Sequence, residues 1–402
     1  MGRGVSQRFF LIAGEASGDR LGAALISGLR SLNPNASFFG VGGPMMEAQG
    51  LQSIFPMEEL SVMGLAEVLP RLRSLFKRRD QAVEAALAIK PDALITIDSP
   101  DFCLRVAKKL RRADPSIPTI HYVAPSVWAW RPKRAEKMAR HIDHVLALLP
   151  FEPPYMQVAG MSCDFVGHPV VAEPLASAED AAQFRAAEGI APNAPLVLVL
   201  PGSRRSEVGR LADRFGQTLA LLSERIPDLH VVLPAAEHVA GLVNEKAALW
   251  DVPVTILDPR ETSAEDFAAR KRAAFGAANV ALAASGTVSL ELAAANTPMV
   301  VAYDMNWLSR QIIGSMLQVD TVTLVNLVSD TRAVPEYLGE LCRPDMIAAA
   351  LTEILSSETV RLEQLNAAEV TMQRLGLGGP APGLRAAQSV LAAIQAKKDG
   401  VK

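Results

Sequence analysis

The chain alternates short apolar runs with longer amphipathic stretches. Residues 8–14, RFFLIAG, predict a buried strand, and residues 17–32, SGDRLGAALISGLRSL, predict a helix with one apolar face. The same pair of patterns recurs at 91–112, PDALITIDSPDFCLRVAKKLRR, and at 195–222, PLVLVLPGSRRSEVGRLADRFGQTLALL. Alternation of this kind is typical of parallel sheets covered by helices.

One interruption of this alternation divides the chain into two predicted domains. Residues 165–183, FVGHPVVAEPLASAEDAAQ, are rich in proline, alanine and acidic residues. A chain of 402 residues also exceeds what one hydrophobic core usually supports. We therefore predict an α/β protein with two Rossmann-like, doubly wound domains at 1–170 and 171–370. A helical segment at 371–402 follows, for which the alternatives are packing on the first domain or on a partner protomer.

Composition limits the location and the partners of the protein. The formal net charge is −3, and we expect no nucleic-acid partner. The three cysteines are far apart and match neither a metal spacing nor a disulfide framework, which indicates a reducing compartment. No apolar run reaches the ~18 residues of a transmembrane helix, and the one near the N-terminus is too short for a signal peptide. We therefore expect a cytoplasmic protein.

The loop LPGSRRSEV follows a buried strand and precedes a helix. Gly202 allows a ligand to approach the backbone, and the N–H groups around Ser203 can bind a phosphate. Arg204 or Arg205 can add a charge-assisted contact. The alternative is an ordinary turn between a strand and a helix, with both arginines facing solvent.

The stretch NVALAASGTVSLEL has the same layout. Ser285, Gly286 and Thr287 can offer backbone and hydroxyl donors to a diphosphate, and Glu291 can accept hydrogen bonds from both hydroxyls of a ribose. The alternative is that Thr287 caps the helix and Glu291 is solvated. Two such loops in one domain are more specific than either loop alone.

Asp98, in PDALITIDSPDF, stands at the carboxyl end of a predicted strand, where a carboxylate can act as a general base. Asp101 is a nearby alternative, and Asp98 or Ser99 can instead cap the following helix. His121, in HYVAPSVWAWR, can shuttle protons or pack in the core. The residues alone leave these alternatives open.

The loop GEASGD at 14–19 looks like a nucleotide-binding turn, but its spacing is GxxxG rather than GxGxxG. The sequence also contains no GxxxxGKS or GxxxxGKT phosphate loop, no HExxH zinc motif and no GxSxG nucleophile elbow. We therefore expect neither a metal nor another cofactor.

A set of motifs in a fixed order resembles the lipid-A-disaccharide synthase family. These motifs are GEASGD, IDSPDF, HYVAPSVWAWR, LPFE, GHP, LPGSR, ASGT followed by Leu290 and Glu291, and PMVVAY. The resemblance runs from about residue 9 to about residue 330, and more loosely to the C-terminus. It implies a GT-B glycosyltransferase with an acceptor- and membrane-facing first domain and a UDP-sugar-binding second domain that face each other across a cleft.

The resemblance also implies a reaction. Members of the family join UDP-2,3-diacylglucosamine to 2,3-diacylglucosamine 1-phosphate (lipid X), with inversion at the sugar carbon and without a metal ion. The products are lipid A disaccharide 1-phosphate and UDP. The step takes place at the inner face of the inner membrane, so the resemblance implies a cytoplasmic, peripherally membrane-associated protein. Members can exchange C-terminal segments between protomers, which suggests a homodimer.

Carried over position by position, the resemblance assigns Arg204 to the UDP diphosphate, Glu291 to the uridine ribose and Asp98 to the role of general base. Asn326, in TVTLVNLV, matches a position that lines the donor site, although Val325 stands where the family has a proline.

The resemblance also gives GEASGD a role, because it matches residues needed for activity. We expect Glu15, Ser17 and Gly18 to line the acceptor site.

Residues 60–79, LSVMGLAEVLPRLRSLFKRR, combine apolar and cationic side chains and are a candidate membrane-binding segment. The alternative is an amphipathic helix packed on the sheet. The residues that we expect to face the membrane are Val62, Met63, Leu65, Leu69, Leu72 and Phe76.

Three other functions are alternatives, of which the epimerase has a similar two-domain frame. A UDP-sugar 2-epimerase would need no acceptor, and a non-catalytic module that binds nucleotide sugars or lipids would not need Asp98. A UDP-GlcNAc transferase of peptidoglycan synthesis would lack the SVWAWR motif.

Overall fold

A computed structural model describes residues 7–60, 65–129, 133–304 and 319–400, with residues 65–72 described by their backbone alone. The chain divides into two compact units, one formed by residues 1–172 and 378–402 and the other by residues 173–377. The sequence-based boundaries lay after residues 170 and 370. The second of these falls inside an 18-residue helix, Glu358–Leu375, which continues through it.

The first unit is built on a sheet of seven parallel strands in the order β3-β2-β1-β4-β5-β6-β7. The residues Phe9–Ala13 of the central strand β1 are fully buried, as expected for a parallel strand covered by helices on both faces. The strands are β1 Arg8–Ala13, β2 Ser37–Val41, β3 Leu51–Ser53, β4 Ala93–Ile97, β5 Thr119–Tyr122, β6 His144–Ala147 and β7 Ser162–Phe165.

Helices connect these strands, together with 3-10 turns at Met57–Glu59 and Pro169–Ala172. They are α1 Ala16–Leu32, α2 Pro44–Ala48, α3 Leu65–Ile89, α4 Pro100–Ala113, α5 Lys133–Ala139 and α6 Pro153–Val158.

The second unit has six parallel strands in the order β10-β9-β8-β11-β12-β13. The strands are β8 Leu196–Leu200, β9 His230–Pro234, β10 Thr255–Leu257, β11 Val280–Ala284, β12 Met299–Tyr303 and β13 Glu336–Leu338. Among the described residues of this unit, the helices are α7 Ala178–Ala187, α8 Arg205–Ser223, α9 Ala240–Ala247, α10 Ala264–Ala277, α11 Val288–Ala294, α12 Leu324–Ser329, α13 Pro344–Ser356 and α14 Glu358–Leu375, with 3-10 turns at Glu237–Val239 and Gly339–Leu341. The predicted α/β class, with two doubly wound parallel sheets, is confirmed.

The C-terminal helix α15, Pro382–Lys398, returns to the first unit and packs on α1. The two helices cross closely at glycines: a Cβ at Gly28 would lie 2.5 Å from the carbonyl oxygen of Gly383. Polar contacts add to this packing, since Ser389 Oγ lies 2.7 Å from His144 Nε2 and Lys397 Nζ lies 2.8 Å from Asp143. Helix α15 is therefore an integral part of the first unit.

Candidate functional site

The loops after β1 and β4 lie at the carboxyl edge of the first sheet, at the point where strand order reverses. Strand β1 pairs with β2 on one side and with β4 on the other. In open α/β sheets, ligands bind at such a topological switch point, because the flanking connections diverge there. The two loops at this point are GEASGD and the IDSPDF turn.

The backbone at this edge is strained. Asp98 and Ser99 have φ angles of +50° and +41°, and Val123, directly after β5, has φ of +83°. The Asp98 N–H donates to the carbonyl oxygen of Tyr122 at 2.9 Å, and the Val123 N–H donates to that of Leu146 at 3.0 Å. Left-handed conformations are costly for residues other than glycine, most of all for a β-branched valine, and such residues cluster at functional sites. The chain therefore turns sharply at Asp98, and the hydrogen bond to β5 fixes this turn.

The three candidates for a general base differ in their surroundings. His121 is 1% exposed, its Nδ1 lies 2.8 Å from Thr96 Oγ1, and burial together with the charge of Arg134 lowers its pKa to about 4. It is a neutral core histidine at pH 7. Asp101 is exposed on the first turn of α4, whereas Asp98 is half-buried at the strand end. The geometry favours Asp98 over His121.

The GEASGD loop contains residues with different environments. Glu15 is half-buried at the N-cap of α1 and Ser17 is exposed. Gly18 is buried, and a Cβ there would lie 3.3 Å from the Cβ of Ala13. Glu15 and Ser17 therefore have surface open to solvent, while Gly18 allows α1 to pack against the strand ends.

Asp19, the last residue of this motif, has a structural role. Its carboxylate is 3% exposed and accepts hydrogen bonds from the N–H groups of Gly43, Met45 and Met46 at 2.9 to 3.0 Å. These N–H groups belong to the N-terminus of α2, where a carboxylate is favoured. Asp19 thus ties α1 to α2.

Glu152, in LPFE, is a buried acid to which the sequence analysis gave no role. It is 3% exposed and accepts hydrogen bonds from the N–H groups of Leu148 and Leu149 at 3.1 and 3.0 Å. The indole Nε1 of Trp128, in SVWAWR, lies 3.4 Å from its other oxygen. Burial raises the pKa of Glu152 to about 7. The sequence signal that could have indicated a buried Glu152 is an acidic residue within an apolar run.

The carboxyl edge of the second sheet has its own switch point, between β8 and β11. The carboxylate of Glu207, on the first turn of α8, binds the loop after β8. Its Oε2 accepts hydrogen bonds from the N–H groups of Ser203 and Arg204, both at 3.2 Å. Its Oε1 forms an ion pair with Arg204 Nη1 at 3.1 Å. Gly202 has φ of +106°, and a Cβ there would lie 2.6 Å from Glu207 Oε2. The N–H groups predicted for a phosphate thus already have an anionic partner. The Arg204 side chain remains 63% exposed.

The loop after β11 is open. A Cβ at Gly286 would meet no other atom within 4 Å among the described residues, and Gly286 and Thr287 are exposed beside a half-buried Ser285. Thr287 stands at the N-cap of α11 without a capping bond from its side chain. This loop has room for a ligand against its backbone.

Glu291, on α11, forms an ion pair that the sequence did not indicate. Its Oε2 lies 2.8 Å from Nζ of Lys271 on α10, and Lys271 also lies over the ring of Phe275, 5.1 Å from the centroid. Both members of the pair are partly exposed. Glu291 is therefore oriented by a neighbouring cation and remains accessible.

Asn326 is buried, with 1% of its surface exposed. Its amide donates to the carbonyl oxygen of Val334 at 2.9 Å and accepts from the Val334 N–H at 3.0 Å. A further contact joins Nδ2 to Thr321 Oγ1 at 3.2 Å. A ligand contact would require some of these bonds to be given up, so the contacts favour a structural role for this side chain.

The candidate membrane segment is described only in part. Val62 and Met63 lie outside the described residues, as do the side chains of Leu65, Leu69 and Leu72 on α3. Phe76 is 39% exposed, and its ring lies 5.0 Å from the guanidinium carbon of Arg79. The Arg105 guanidinium of α4 lies 5.8 Å from the same ring. An exposed aromatic ring flanked by cations suits a membrane interface.

Two properties concern only the residues that the structure describes, 7–60, 65–129, 133–304 and 319–400. Within these ranges, no three His, Cys, Asp or Glu side chains form a group that could hold a metal ion. Within the same ranges, no helix has the length and apolar character needed to cross a membrane.

Comparison with known sequences identifies close relatives. The model of the family described as lipid-A-disaccharide synthetase matches residues 9–377. A lipid-A-disaccharide synthase from Ruegeria pomeroyi is 58% identical over 384 residues, which cover 96% of this chain and 94% of the relative. One from Rhodospirillum centenum is 50% identical over 387 residues, with coverage of 96% and 94%.

Solved structures share the fold at low sequence identity. A UDP-GlcNAc 2-epimerase from Neisseria meningitidis, bound to UDP-GlcNAc, matches with a TM-score of 0.65 at 13% identity, over 97% of this chain and all of that one (100%). A calicheamicin glycosyltransferase matches with a TM-score of 0.56 at 15% identity, over 97% of this chain and 99% of that chain. These likenesses confirm the predicted GT-B fold class and show the fold alone.

Proposed function

Because the chain belongs to the lipid-A-disaccharide synthetase family, we propose that it joins UDP-2,3-diacylglucosamine to 2,3-diacylglucosamine 1-phosphate. The products are lipid A disaccharide 1-phosphate and UDP. The observation that carries this proposal is the family match over residues 9–377, which includes all the motifs from GEASGD to PMVVAY. The chain is thus a glycosyltransferase of lipid A synthesis, and the alternative of a UDP-sugar 2-epimerase is not favoured.

In this reaction the 6-hydroxyl of the acceptor attacks the anomeric carbon from the face opposite UDP. The new carbon–oxygen bond forms while the bond to the diphosphate breaks, and its electron pair leaves with UDP. The hydroxyl proton passes to a base, for which we assign the Asp98 carboxylate. Its position directly after β4, at a switch point and partly open to solvent, supports this assignment.

The leaving diphosphate gains negative charge, which donors of the second unit would stabilise. We assign the exposed guanidinium of Arg204 to this role rather than the N–H groups of its loop, because Glu207 already accepts from those of Ser203 and Arg204. In this proposal Gly202 allows the loop to pack closely against Glu207. The open backbone of Ser285, Gly286 and Thr287 would receive the diphosphate from the other side of the switch point.

For the uridine ribose, we assign Glu291, whose carboxylate can accept hydrogen bonds from both hydroxyls. Its ion pair with Lys271 supports a fixed orientation. That Asn326 lines the site for the UDP-sugar donor stays a prediction.

For the acceptor, we assign Glu15 and Ser17, which have surface open to solvent beside the turn that carries Asp98. Gly18 would contribute by letting α1 approach the strand ends.

We also propose peripheral association with the inner face of the inner membrane, because both substrates carry acyl chains. The exposed Phe76 with Arg79 and Arg105 supports α3 as the contact. Changing Leu72 and Phe76 to Ser should reduce pelleting with vesicles that contain phosphatidylglycerol, and unchanged pelleting would contradict this contact. That the protein forms a homodimer remains a prediction. The molar mass measured by light scattering in solution tests it.

One experiment tests the reaction. The protein is incubated with UDP-2,3-diacylglucosamine, with and without lipid X, and UDP release is followed. Release that requires both substrates is the expected result. Turnover of the UDP-sugar alone would indicate an isomerase or a hydrolase, and binding without turnover in the presence of both substrates would indicate a binding module.

A further inference from the structure

We propose that Gly14 is a positioning residue for Asp98, because the missing side chain at position 14 leaves the space in which the Asp98–Ser99 turn is seated. Gly14, the first residue of GEASGD, directly follows strand β1, and the turn directly follows the neighbouring strand β4. The inference rests on the proposed function in one respect, namely that Asp98 is the base.

The contact between the two loops is close. A Cβ on Gly14 would lie 2.6 Å from Ser99 Oγ and 3.0 Å from Ser99 Cβ. The hydroxyl could rotate away, but the Ser99 Cβ is fixed to the backbone and could only move with the turn. On the other side, Leu60 Cβ would lie at 3.5 Å and leaves little room for the new methyl group to shift.

The requirement for glycine at position 14 comes from this space and not from backbone conformation. Gly14 is not among the residues with positive φ, so its backbone does not require the left-handed conformation that favours glycine. The strained residues are on the other side of the contact, Asp98 at φ +50° and Ser99 at φ +41°.

Displacement of Ser99 would be transmitted directly to Asp98. The two residues are adjacent and both left-handed, and Ser99 is bound to α4, since its carbonyl oxygen accepts the N–H groups of Phe102 and Cys103 at 3.1 and 3.0 Å. Asp98 itself is bound to β5 through its N–H. A Ser99 pushed away from β1 would therefore pull on a carboxylate whose position must match the acceptor hydroxyl within a fraction of an ångström.

The test uses the full chain and four variants. Gly14→Ala should lower kcat for UDP release by roughly tenfold or more, while the Kd for UDP measured by calorimetry stays unchanged, because we assign the UDP contacts to the second unit. Ser99→Gly removes the crowding Cβ and adopts the left-handed conformation more easily, so kcat should stay within about twofold of wild type. The double variant should recover most of the lost kcat. Gly209→Ala, exposed on α8 with no described atom within 4 Å of the new Cβ, is the control.

The readouts separate positioning from loss of folding. Hydrogen exchange across strands β1 and β4 reports whether the first unit is folded, and the stoichiometry of UDP binding reports the second unit, so kcat is expressed per molecule with both units folded. Normal kcat in Gly14→Ala would overturn the proposal, as would a double variant no better than Gly14→Ala while Ser99→Gly is active.

Hydrogen exchange at the Asp98 amide reports the same displacement without catalysis. It should be faster in Gly14→Ala and restored in the double variant, because the bond to the Tyr122 carbonyl oxygen depends on the seating of the turn. If exchange behaved in this way while the wild type released no UDP with both substrates, the proposed function would fail and the seating role would stand. Unchanged exchange in Gly14→Ala would overturn the seating role.

Discussion

The carboxyl edges of the two sheets have the same topology but opposite local chemistry. At the first edge, Asp98, Ser99 and Val123 hold left-handed conformations that are costly for their residue types. At the switch point of the second edge, the left-handed residue among those described is a glycine, Gly202, and the Gly286 loop is open. Strain and a carboxylate are concentrated where we assign the proton transfer, and unstrained loops with a cation lie where we assign the diphosphate.

The second edge itself contains two different loops. The LPGSR loop is closed on itself, because Glu207 occupies its N–H groups, whereas the ASGT loop has free space over Gly286. Similar sequence patterns can therefore mark a self-capped turn or an open ligand surface. The distinction leads to the following predictions.

The largest effect is expected at the first edge. Asp98→Asn keeps the shape of the side chain but cannot accept the hydroxyl proton, so turnover should fall roughly 10²–10⁴-fold. The Kd for UDP should not change, because we assign the UDP contacts to the second unit. Steady-state UDP release and calorimetry measure the two quantities. Near-normal turnover would remove Asp98 from the role, and Asp101→Asn is the matched comparison.

The next effect separates the two arginines of the LPGSR loop. Arg204→Ala should weaken UDP binding about 10- to 100-fold, because it removes a charge-assisted contact to the diphosphate. Arg205→Ala, the neighbouring exposed arginine, should change the Kd for UDP by less than about threefold. Calorimetry at two salt concentrations tests both variants. If Arg205→Ala were the more damaging, the assignment would move to Arg205.

The two glycines should respond oppositely. Gly202→Ala should cost about 1–3 kcal/mol of unfolding free energy, because alanine is strained at φ +106° and its Cβ would crowd Glu207. Gly286→Ala should leave the unfolding free energy within about 0.5 kcal/mol but weaken UDP binding, because its methyl group enters the proposed diphosphate space. Denaturant titration and calorimetry distinguish them. Unchanged UDP affinity in Gly286→Ala would contradict the open-loop assignment.

The smallest effect concerns the buried acid of the first unit. The pKa of Glu152 is raised to about 7 from an ordinary 4.5, so between these values the folded state keeps a proton that the unfolded state loses. This acid therefore lowers stability as pH rises through that window. Glu152→Gln removes the dependence, and its stability relative to wild type should rise by about 2 kcal/mol from pH 5 to pH 7.5.

Denaturant titrations at several pH values measure this difference. The buried His121 and His168, each with its pKa lowered to about 4 by burial, act in the opposite direction in both proteins and cancel in the comparison. Glu363→Gln, exposed on α14, is the control. A relative stability that does not change with pH would contradict the raised pKa.

Much of the fold and part of the candidate site could be predicted from the sequence. Apolar runs that stop before Asp98, Gly202 and Ser285 marked strand ends correctly, because a buried parallel strand is predominantly apolar and the apolar run stops near the sheet edge. The roles of Asp19 and Glu152 could not be predicted. The hydrogen-bond partners of Asp19 lie more than twenty residues away along the chain, and those of Glu152 include Trp128. The local sequence pattern therefore does not indicate them.

By itself, the sequence determined the α/β class, the family and the positions of the loops at the strand ends, because periodicity and motif order are local properties of the chain. Only the tertiary structure decided which polar groups satisfy one another. Glu207 takes the N–H groups of its own loop, Lys271 pairs with Glu291, and Ser99 rests against Gly14. The Glu207 contact is local, within four residues along the chain, but the pattern of the loop does not distinguish it from an open loop. The other two contacts depend on distances of a few ångströms between segments that the fold brings together, and the order of residues along the chain does not specify such distances.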